Sequence, residues 1–278
     1  MKPMRAKKSL GQHFLRSTRA LNKIVEAANI TPGDVVLEIG PGKGALTQKL
    51  VDAGAHVIAV EKDDRCIGLL DDAFATTPEE QKPIIIHGDI LDENIQKILF
   101  SKKHLGTVPY KLVANIPYYI TGRLFRLFLE KLRQPSSLTF LIQKEVAEQI
   151  VSRDGKEGIL SLSIKTYGQP RYVGKVGRDA FAPPPKVDSA IIHVADISRE
   201  RLGTLSDEDF FRILKAGFRA RRKKLLGNLR DGLLLPKETL EQIFMELAIN
   251  PDIRGEDLAL PHWITLSKKI AQIKHLSK

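Results

Sequence analysis

Short apolar runs alternate with stretches of helical spacing through the first half of this chain. Helical spacing predicts helices near residues 21–28 and over residues 45–53 and 123–132. Five apolar runs predict strands, at residues 35–39, 56–60, 83–87, 110–114 and 138–142. Strands that alternate with helices form βαβ units, so the pattern predicts a mostly parallel sheet.

Two later apolar runs extend this sheet. They cover residues 171–176 and 187–195 and are joined by a loop that contains the segment 181–185, Phe-Ala-Pro-Pro-Pro. Two late strands joined in this way predict an antiparallel pair that closes one edge of the sheet. For residues 159–167, periodicity alone does not distinguish a helix from a strand. We therefore expect an α/β fold with a mostly parallel sheet of seven strands.

The pattern changes to helical spacing alone from about Ser206 onward. Helices are predicted at residues 207–220, 237–248 and 262–275. Ser206, with Asp209 three residues later, makes a suitable N-cap with early negative charge. We place a domain boundary near residue 198. Residues 1–197 then form the α/β domain with a basic N-terminal arm, and residues 198–278 form a small all-α domain that we expect to bind RNA.

Charge and composition narrow the class of protein. Of the 278 residues, 42% are hydrophobic and 28% are charged, which is typical of a globular protein. Lys and Arg outnumber Asp and Glu by 44 to 33, and the net charge of +11 favours an anionic partner, nucleic acid first and a membrane surface second. Many basic proteins have no such partner, so charge alone leaves this question open.

The sequence has few features of a membrane, secreted or metal-binding protein. No apolar run approaches the roughly 20 residues that span a bilayer, and the N-terminus lacks the apolar segment of a signal peptide. We therefore expect a cytoplasmic protein. The single Cys66 excludes an internal disulfide and a cysteine metal cluster, and the seven His residues show no ligand spacing, so we expect no metal.

Glycine and acidic residues follow three successive predicted strands. Residues 40–44, Gly-Pro-Gly-Lys-Gly, allow a ligand to approach backbone N–H groups closely, although a purely structural turn has the same composition. Glu61 suits the two hydroxyls of an adenosine ribose, or is a solvated charge. Asp89 suits the adenine amino group, or caps a helix. Together the three strand ends favour an adenosine-containing cofactor.

The fourth strand ends in Asn115-Ile116-Pro117-Tyr118, which distinguishes between two such cofactors. A nicotinamide dehydrogenase needs an acid–base pair, and this strand end has no neighbouring acid or lysine. The Asn115 amide and the Ile116 carbonyl instead suit the two N–H groups of a planar amine, against which Tyr118 stacks. Such an amine accepts a methyl group from S-adenosylmethionine through positioning, without a strong base. A Pro-containing turn with a core Tyr is the alternative.

Five positive charges lie within six residues near the start of the predicted all-α domain. They are Arg219, Arg221, Arg222, Lys223 and Lys224. On a helix, which we expect here, they cannot all occupy one face, so some of them face solvent or RNA phosphates. An ordinary solvated basic helix is the alternative. Other basic residues expected to contact RNA lie in the N-terminal arm and first helix: Arg5, Lys7, Lys8, Arg16 and Arg19.

These segments resemble the ordered motifs of the ribosomal RNA adenine dimethyltransferases. The similar segments are residues 9–15 (Ser-Leu-Gly-Gln-His-Phe-Leu), 38–44, Glu61, 88–91 (Gly-Asp-Ile-Leu), 115–118, 181–189 and 218–225. The resemblance spans nearly the whole chain and is greatest to the small-subunit, KsgA-type branch. It implies the Rossmann-like fold of the class I S-adenosylmethionine-dependent methyltransferases.

The resemblance also implies a reaction and a set of site residues. Family members of this branch transfer methyl groups from S-adenosylmethionine to N6 of two adjacent adenines near the 3′ end of 16S rRNA, during small-subunit biogenesis. By motif position, the implied cofactor-binding residues are His13, Leu15, Gly40, Glu61, Asp89 and Asn115. Asn115 and Tyr118 also line the target pocket, where Phe181 faces Tyr118 across the flipped base. Base flipping favours single-stranded or loop RNA, and we expect a monomer.

Two positions depart from the common family motif. His13 replaces a frequent Asn, and Ile116 replaces a frequent Leu. Both suit the implied roles, because His still donates a hydrogen bond and Ile116 contributes mainly its backbone carbonyl. Within the family, the alternative is the 23S rRNA dimethyltransferase that confers macrolide resistance. Outside it, an RNA-binding assembly factor with secondary methylation and an N-methyltransferase acting on DNA or a glutamine amide remain open.

Overall fold

The computed structural model describes residue 7 and residues 11–276, which divide into two compact units. The first unit runs to Ala147 and resumes at Gln169–Ile197, and the second contains Glu148–Gly168 and the chain from Ser198 onward. The residues predicted as an all-α domain therefore lie in the second unit together with residues 148–168. The predicted domains, 1–197 and an RNA-binding 198–278, stay a prediction.

The first unit contains one large sheet and one short strand pair. Its strands are β1 (Phe14–Leu15), β2 (Val35–Ile39), β3 (His56–Glu61), β4 (Ile84–His87), β5 (Lys111–Asn115), β6 (Ser137–Gln143), β7 (Gln169–Val176), β8 (Phe181–Ala182) and β9 (Ser189–Ala195). The seven strands predicted from apolar runs are present close to their predicted limits. The pair β1–β8 was not predicted, because strands of two residues show no periodicity.

The seven-stranded sheet has the order β4-β3-β2-β5-β6-β9-β7. Strands β2 to β6 are parallel, while β9 lies antiparallel between β6 and β7. This confirms the predicted mostly parallel sheet with a closing antiparallel pair. The chain order reverses at β2, which has β3 on one side and β5 on the other. Ligands of open α/β sheets bind at the carboxyl ends of the strands beside such a reversal.

Helices connect the parallel strands and cover the sheet. They are α1 (Thr18–Ala27), α2 (Ala45–Asp52), α3 (Asp64–Ala73), α4 (Glu93–Leu99), α5 (Thr121–Arg126) and α6 (Lys144–Ile150), which crosses into the second unit. The helix predicted at 123–132 is α5 followed by a π-helical turn, Leu127–Lys131. Ile24 of α1, Leu50 of α2 and Leu70 of α3 are fully buried in one cluster with strand residues. The parallel strands read as continuous apolar runs because such sheets are covered on both faces.

The second unit contains a group of helices. They are α7 (Ile159–Tyr167), α8 (Asp207–Gly217), α9 (Leu225–Leu233), α10 (Lys237–Glu246) and α11 (Leu260–Leu276). The ambiguous segment 159–167 is thus a helix, and α9 was not predicted. Trp263 is fully buried in this unit, donates its indole N–H to the Gly255 carbonyl at 3.2 Å, and stacks on Phe218. None of the described helices has the length and apolar character needed to cross a bilayer.

Candidate active site

A cavity of about 420 Å³ opens at the carboxyl ends of β2 to β5, within the first unit. This volume lies in the range of small-molecule sites. Gly40, Glu61, Asp89 and Asn115 line it, together with the N-terminal segment 11–16. The structure therefore brings to one cavity the residues predicted at four separate strand ends, because parallel strands all end at the same edge of the sheet.

The glycine loop after β2 has one open position and one packed position. Gly40 and Gly42 have φ values of 69° and 60°, in the left-handed region that favours glycine. A Cβ atom on Gly40 would meet nothing within 4 Å, whereas a Cβ atom on Gly42 would approach the Phe14 ring to 3.1 Å. Gly40 therefore leaves space for a ligand, and Gly42 allows the N-terminal segment to pack on the loop.

Glu61 ends β3 with a nearly buried carboxylate. One oxygen accepts the Gly42 backbone N–H at 2.9 Å, and the other accepts the Asp63 N–H at 2.7 Å. These bonds orient the side chain and tie the glycine loop to the end of β3. Each carboxylate oxygen has a second lone pair, so the group is still able to accept two ribose hydroxyls.

Asp89 lies after β4 and is partly exposed in the cavity wall. Its carboxylate accepts the Leu91 N–H at 2.9 Å and pairs with Lys62 Nζ at 2.9 Å. Burial acts to raise the pKa of Asp89, but the Lys62 ammonium and the Leu91 N–H together hold it below the ordinary value. The alternative role as a helix cap is wrong, because Asp92 caps α4. Asp89 is therefore an ionised acceptor at neutral pH.

The N-terminal segment forms one wall of the cavity. His13 is half-buried, and its Nδ1 lies 2.9 Å from the Pro183 carbonyl oxygen, which it meets as a donor in the Nδ1-protonated tautomer. Leu15 is buried and pairs with Phe181 in the β1–β8 ladder. Both predicted cofactor residues thus line the cavity. The earlier part of this motif, Ser9 and Leu10, and the arm residues Arg5 and Lys8 lie outside the described residues.

A buried acid that sequence reasoning missed anchors this segment. Both carboxylate oxygens of Asp63 bind the Arg65 guanidinium, at 2.9 and 2.6 Å, and Gln12 Nε2 donates to it at 2.7 Å. Lys7 adds an ion pair at 3.5 Å. The hydrogen bonds from Arg65, which outweigh burial, and from Gln12 hold the pKa of Asp63 well below its ordinary value. The acid therefore keeps its charge at neutral pH and holds residues 7 and 12 beside β3.

Asn115 and Tyr118 face the cavity at the end of β5. Asn115 Nδ2 donates to the His13 carbonyl at 3.2 Å. The Tyr118 hydroxyl bonds to the Ser189 hydroxyl at 2.6 Å, and its ring lies parallel, within 22°, to the His13 ring at a centroid distance of 6.1 Å. Burial, opposed by the Ser189 hydrogen bond, raises the pKa of Tyr118, which keeps the phenol neutral. Ser189 therefore fixes Tyr118 from a strand about 70 residues later in sequence.

Phe181 occupies a different position from these residues. Its side chain is 4% exposed and belongs to the buried apolar cluster of the first unit, where it pairs with Leu15. It is not among the described residues that line the cavity. In this structure His13 is the ring nearest to Tyr118 in parallel orientation. The predicted arrangement of Phe181 facing Tyr118 across a flipped base stays a prediction.

Glu38, on β2, is a second buried acid in the cavity wall that sequence reasoning missed. It is 1% exposed, and the Thr47 hydroxyl donates to it at 2.7 Å. Burial, opposed by the Thr47 hydrogen bond and reinforced by the nearby Glu61 charge, raises the pKa of Glu38 to about 8. Glu38 lies within an apolar run, just before the glycine loop. That position was the sequence signal that its side chain is buried. Glu38 is protonated at neutral pH.

The basic cluster of the second unit lies on a loop, so the expected helix is wrong. Residues 218–224 connect α8 to α9, and all five cations are exposed: Arg219, Arg221, Arg222, Lys223 and Lys224. Lys224 pairs with Asp252 and Arg221 with Glu256, both within this unit. Arg222 has no ion-pair partner within the described part of the chain. Gly217 is the last residue of α8, and its absent Cβ lets the buried Trp263 ring pack on the backbone.

The cavity fits an adenosine cofactor that bears a reactive methyl group. Gly40 leaves open space beside backbone N–H groups, Glu61 offers acceptors for ribose hydroxyls, and Asp89 offers an ionised acceptor. No set of His, Cys, Asp or Glu side chains within the described ranges is grouped to hold a metal ion. The fold and this site define a Rossmann-like class I methyltransferase, and its cofactor is S-adenosylmethionine.

The chain belongs to the ribosomal RNA adenine dimethylase family, which residues 4–272 match. Ribosomal RNA small subunit methyltransferase A of Dehalococcoides mccartyi strain CBDB1 is 43% identical over 96% of this chain and 89% of that protein. The protein of the same name from Bacillus cytotoxicus is 36% identical over 96% of this chain and 92% of that protein. A dimethyladenosine transferase from Plasmodium falciparum has the same fold, with a TM-score of 0.78 at 24% identity over 94% of this chain and 98% of that chain.

Proposed function

We propose that this protein transfers methyl groups from S-adenosylmethionine to N6 of two adjacent adenines near the 3′ end of 16S rRNA. The products are N6,N6-dimethyladenosines in the small ribosomal subunit or its precursor. The proposal is supported by the Asn115-Ile116-Pro117-Tyr118 segment in the cofactor cavity and by relatives named Ribosomal RNA small subunit methyltransferase A.

The orientation of the Asn115 amide is the observation on which the mechanism rests. Because Nδ2 donates to the His13 carbonyl, Oδ1 points away from that carbonyl and is the acceptor left for an adenine N6–H. Ile116 lines the cavity, and its side chain has no acceptor atom, so its backbone carbonyl is the proposed second acceptor. Two acceptors hold both N–H groups and turn the nitrogen lone pair out of conjugation with the ring.

Catalysis in this scheme depends on positioning. S-adenosylmethionine supplies the electrophilic methyl group when it is bound. Asn115 and Ile116 orient the amine, and Tyr118, fixed by Ser189, stacks on the adenine ring. Phe181 is proposed as the opposite wall of this base pocket. Transfer forms a bond from N6 to the methyl carbon, breaks the bond from that carbon to sulfur, and leaves a positive charge on N6. The cationic amine is acidic and loses its proton to solvent, so the site needs donors and acceptors in fixed places more than it needs a strong base.

The five loop cations of the second unit are proposed to bind rRNA phosphates. Their ion pairs are exposed, and exposed pairs contribute only about 0–1 kcal/mol. Phosphates are therefore able to displace them, and binding should weaken as salt concentration rises. We further propose that the enzyme acts as a monomer in the cytoplasm, where its ribosomal substrate is assembled.

The test uses labelled S-adenosylmethionine and small subunits that lack these methylations. Wild-type protein should place label in N6,N6-dimethyladenosine of 16S rRNA. Asn115→Ala should lower transfer about 100-fold or more, as expected for loss of a positioned hydrogen-bonding group, with a much smaller change in cofactor affinity. Asn22→Ala, at an exposed position of α1, is the matched control and should behave as wild type.

Three outcomes would count against the proposal. Label in 23S rRNA alone would identify the other branch of the family. Absence of dimethyladenosine despite cofactor binding would support an assembly factor without this reaction. Equal losses of transfer and of cofactor affinity in Asn115→Ala would refute the proposed role of Asn115 in positioning the amine.

A further inference from the structure

Tyr119 exposes an aromatic ring at the mouth of the cavity. It lies in the single turn Tyr118–Ile120, between a half-buried Tyr118 and a buried Ile120. Tyr119 itself is 61% exposed and lines the cavity. Its hydroxyl makes no hydrogen bond with any described residue. The ring therefore contributes little to the folded core, and its exposed surface is available to a ligand.

The ring lies close to the N-terminal segment. Gly11, in that segment, has a φ of 60°, and a Cβ atom there would lie 3.3 Å from Cε1 of Tyr119. Gly11 thus allows the segment to pass close to the ring without covering it. Most of the ring surface stays exposed, so a base is able to stack on it.

Arg123 brings a positive charge to the same cavity. It follows Tyr119 by four residues, in the first turn of α5, and its side chain is exposed. No carboxylate lies within ion-pair distance of it in the part of the chain that the structure describes. Other cations line the cavity as well, among them Lys62, which pairs with Asp89 at 2.9 Å. Arg123 is the lining cation closest to Tyr119 in the chain and, without such a pair, is available to a phosphate.

An exposed aromatic ring and an exposed guanidinium that line one cavity are the combination with which proteins bind single-stranded nucleic acids. The ring stacks on a base of any sequence, and the guanidinium binds the backbone phosphate. When a target adenine lies against Asn115 and Tyr118, its neighbouring nucleotide must lie at the cavity mouth. Tyr119 directly follows Tyr118 in the chain, and it faces this position rather than the core.

We propose that Tyr119 and Arg123 form a subsite for the nucleotide adjacent to the target adenine. Tyr119 stacks on the neighbouring base, and Arg123 binds the phosphate that links the two nucleotides. The subsite keeps a single-stranded segment in register while its adenine is methylated. This inference rests on the proposed function, since it assumes an RNA strand that enters the cavity from this side.

The first test compares three variants in steady-state methylation of small subunits. Tyr119→Ala should raise the KM for the RNA substrate about fivefold or more, the effect typical of losing one stacked base. Tyr119→Phe should retain wild-type KM, because the hydroxyl is not used. Ile98→Ala, at another exposed apolar position of the same unit, is the control and should leave KM unchanged. The cofactor Kd, measured by calorimetry without RNA, should be the same in all of them.

The second test addresses the phosphate. Arg123→Gln should raise the KM for RNA and reduce the slope of log KM against log salt concentration by about 0.7, the value for one phosphate contact on a single strand. Lys97→Gln removes one exposed positive charge from α4 of the same unit and should leave the slope unchanged. Equal slopes in the two variants would show that Arg123 acts only through net charge and would overturn the phosphate contact.

The results separate this inference from the proposed function. If wild-type protein makes no dimethyladenosine in 16S rRNA, the proposed function fails. If wild-type protein is active and Tyr119→Ala has an unchanged KM for RNA, only the subsite is refuted. If Tyr119→Ala instead weakens cofactor binding with no effect on KM for RNA, the ring belongs to the cofactor site, which also refutes the subsite.

Discussion

The buried carboxyl group of Glu38 should make the stability of this protein fall as pH rises. Burial raises its pKa from 4.5 to about 8. Between these values the folded protein keeps a proton that the unfolded chain has lost. Stability therefore depends on pH with a negative slope over this window. The contribution is fully present below pH 4.5 and is lost as pH rises through 8.

The size of the effect follows from the same two values. One pKa unit corresponds to about 1.36 kcal/mol. The full difference between 4.5 and about 8 is therefore worth about 5 kcal/mol, most of which falls between pH 5 and pH 8. Glu38→Gln removes the ionisation while keeping an acceptor for the Thr47 hydroxyl. The variant should thus gain stability relative to wild type as pH increases.

The measurement is urea unfolding of both proteins at pH 5, 6, 7 and 8, followed by circular dichroism. The difference in unfolding free energy between variant and wild type isolates Glu38, because other titrating groups, such as His193, contribute equally to both proteins. Glu26→Gln, an exposed position on α1, is the matched control and should differ from wild type by less than about 0.5 kcal/mol at every pH. A difference for Glu38→Gln that does not change with pH would refute the reasoning.

The other predictions concern residues that position the site. Ser189→Ala should lower kcat about fivefold, the effect of losing about 1 kcal/mol from the Tyr118 hydrogen bond, with cofactor Kd unchanged in calorimetry; an equal change in both would contradict it. Asp63→Asn should lower the free energy of unfolding in urea by about 2 kcal/mol at pH 7. The loss is no larger because the partner Arg65 is 34% exposed and regains water. Since the pKa of Asp63 is lowered, this cost should be present above about pH 4 and vanish in more acidic solution. Gly42→Ala should weaken cofactor binding more than Gly33→Ala, whose added Cβ meets nothing within 4 Å. Equal losses of cofactor affinity would show that backbone strain at the glycine causes both.

Local pattern was sufficient for most of the sheet and for the positions of the cavity residues. Continuous apolar runs identify parallel strands because both faces of such a sheet are covered. Residues at the carboxyl ends of those strands must then share one edge, which is why the sequence assigns Gly40, Glu61, Asp89 and Asn115 to one site. From charge and composition we also expected a nucleic acid as the partner.

Secondary structure in the second unit was less accessible to sequence reasoning. We expected the cations from Arg219 to Lys224 to lie on a helix, yet the chain forms a loop there and begins α9 at Leu225. Gly227 and Gly232 lie within α9, and glycine disfavours helices in isolation. The helix forms because Leu225, Leu226 and Leu229 are buried in the unit. Tertiary burial here outweighs local propensity.

The sequence by itself determined the positions of the strands, the residues at each strand end and the family motifs, since each of these is read from residues close together in the chain. The tertiary structure decided the partners of those residues. Asp63 binds Gln12 across 51 positions, Tyr118 binds Ser189 across 71, and Asn115 binds the His13 carbonyl across 102. It also decided that Glu38 is neutral and that Tyr119 is exposed. Contacts across such separations, and the removal of water that shifts a pKa, arise only when distant segments pack against each other.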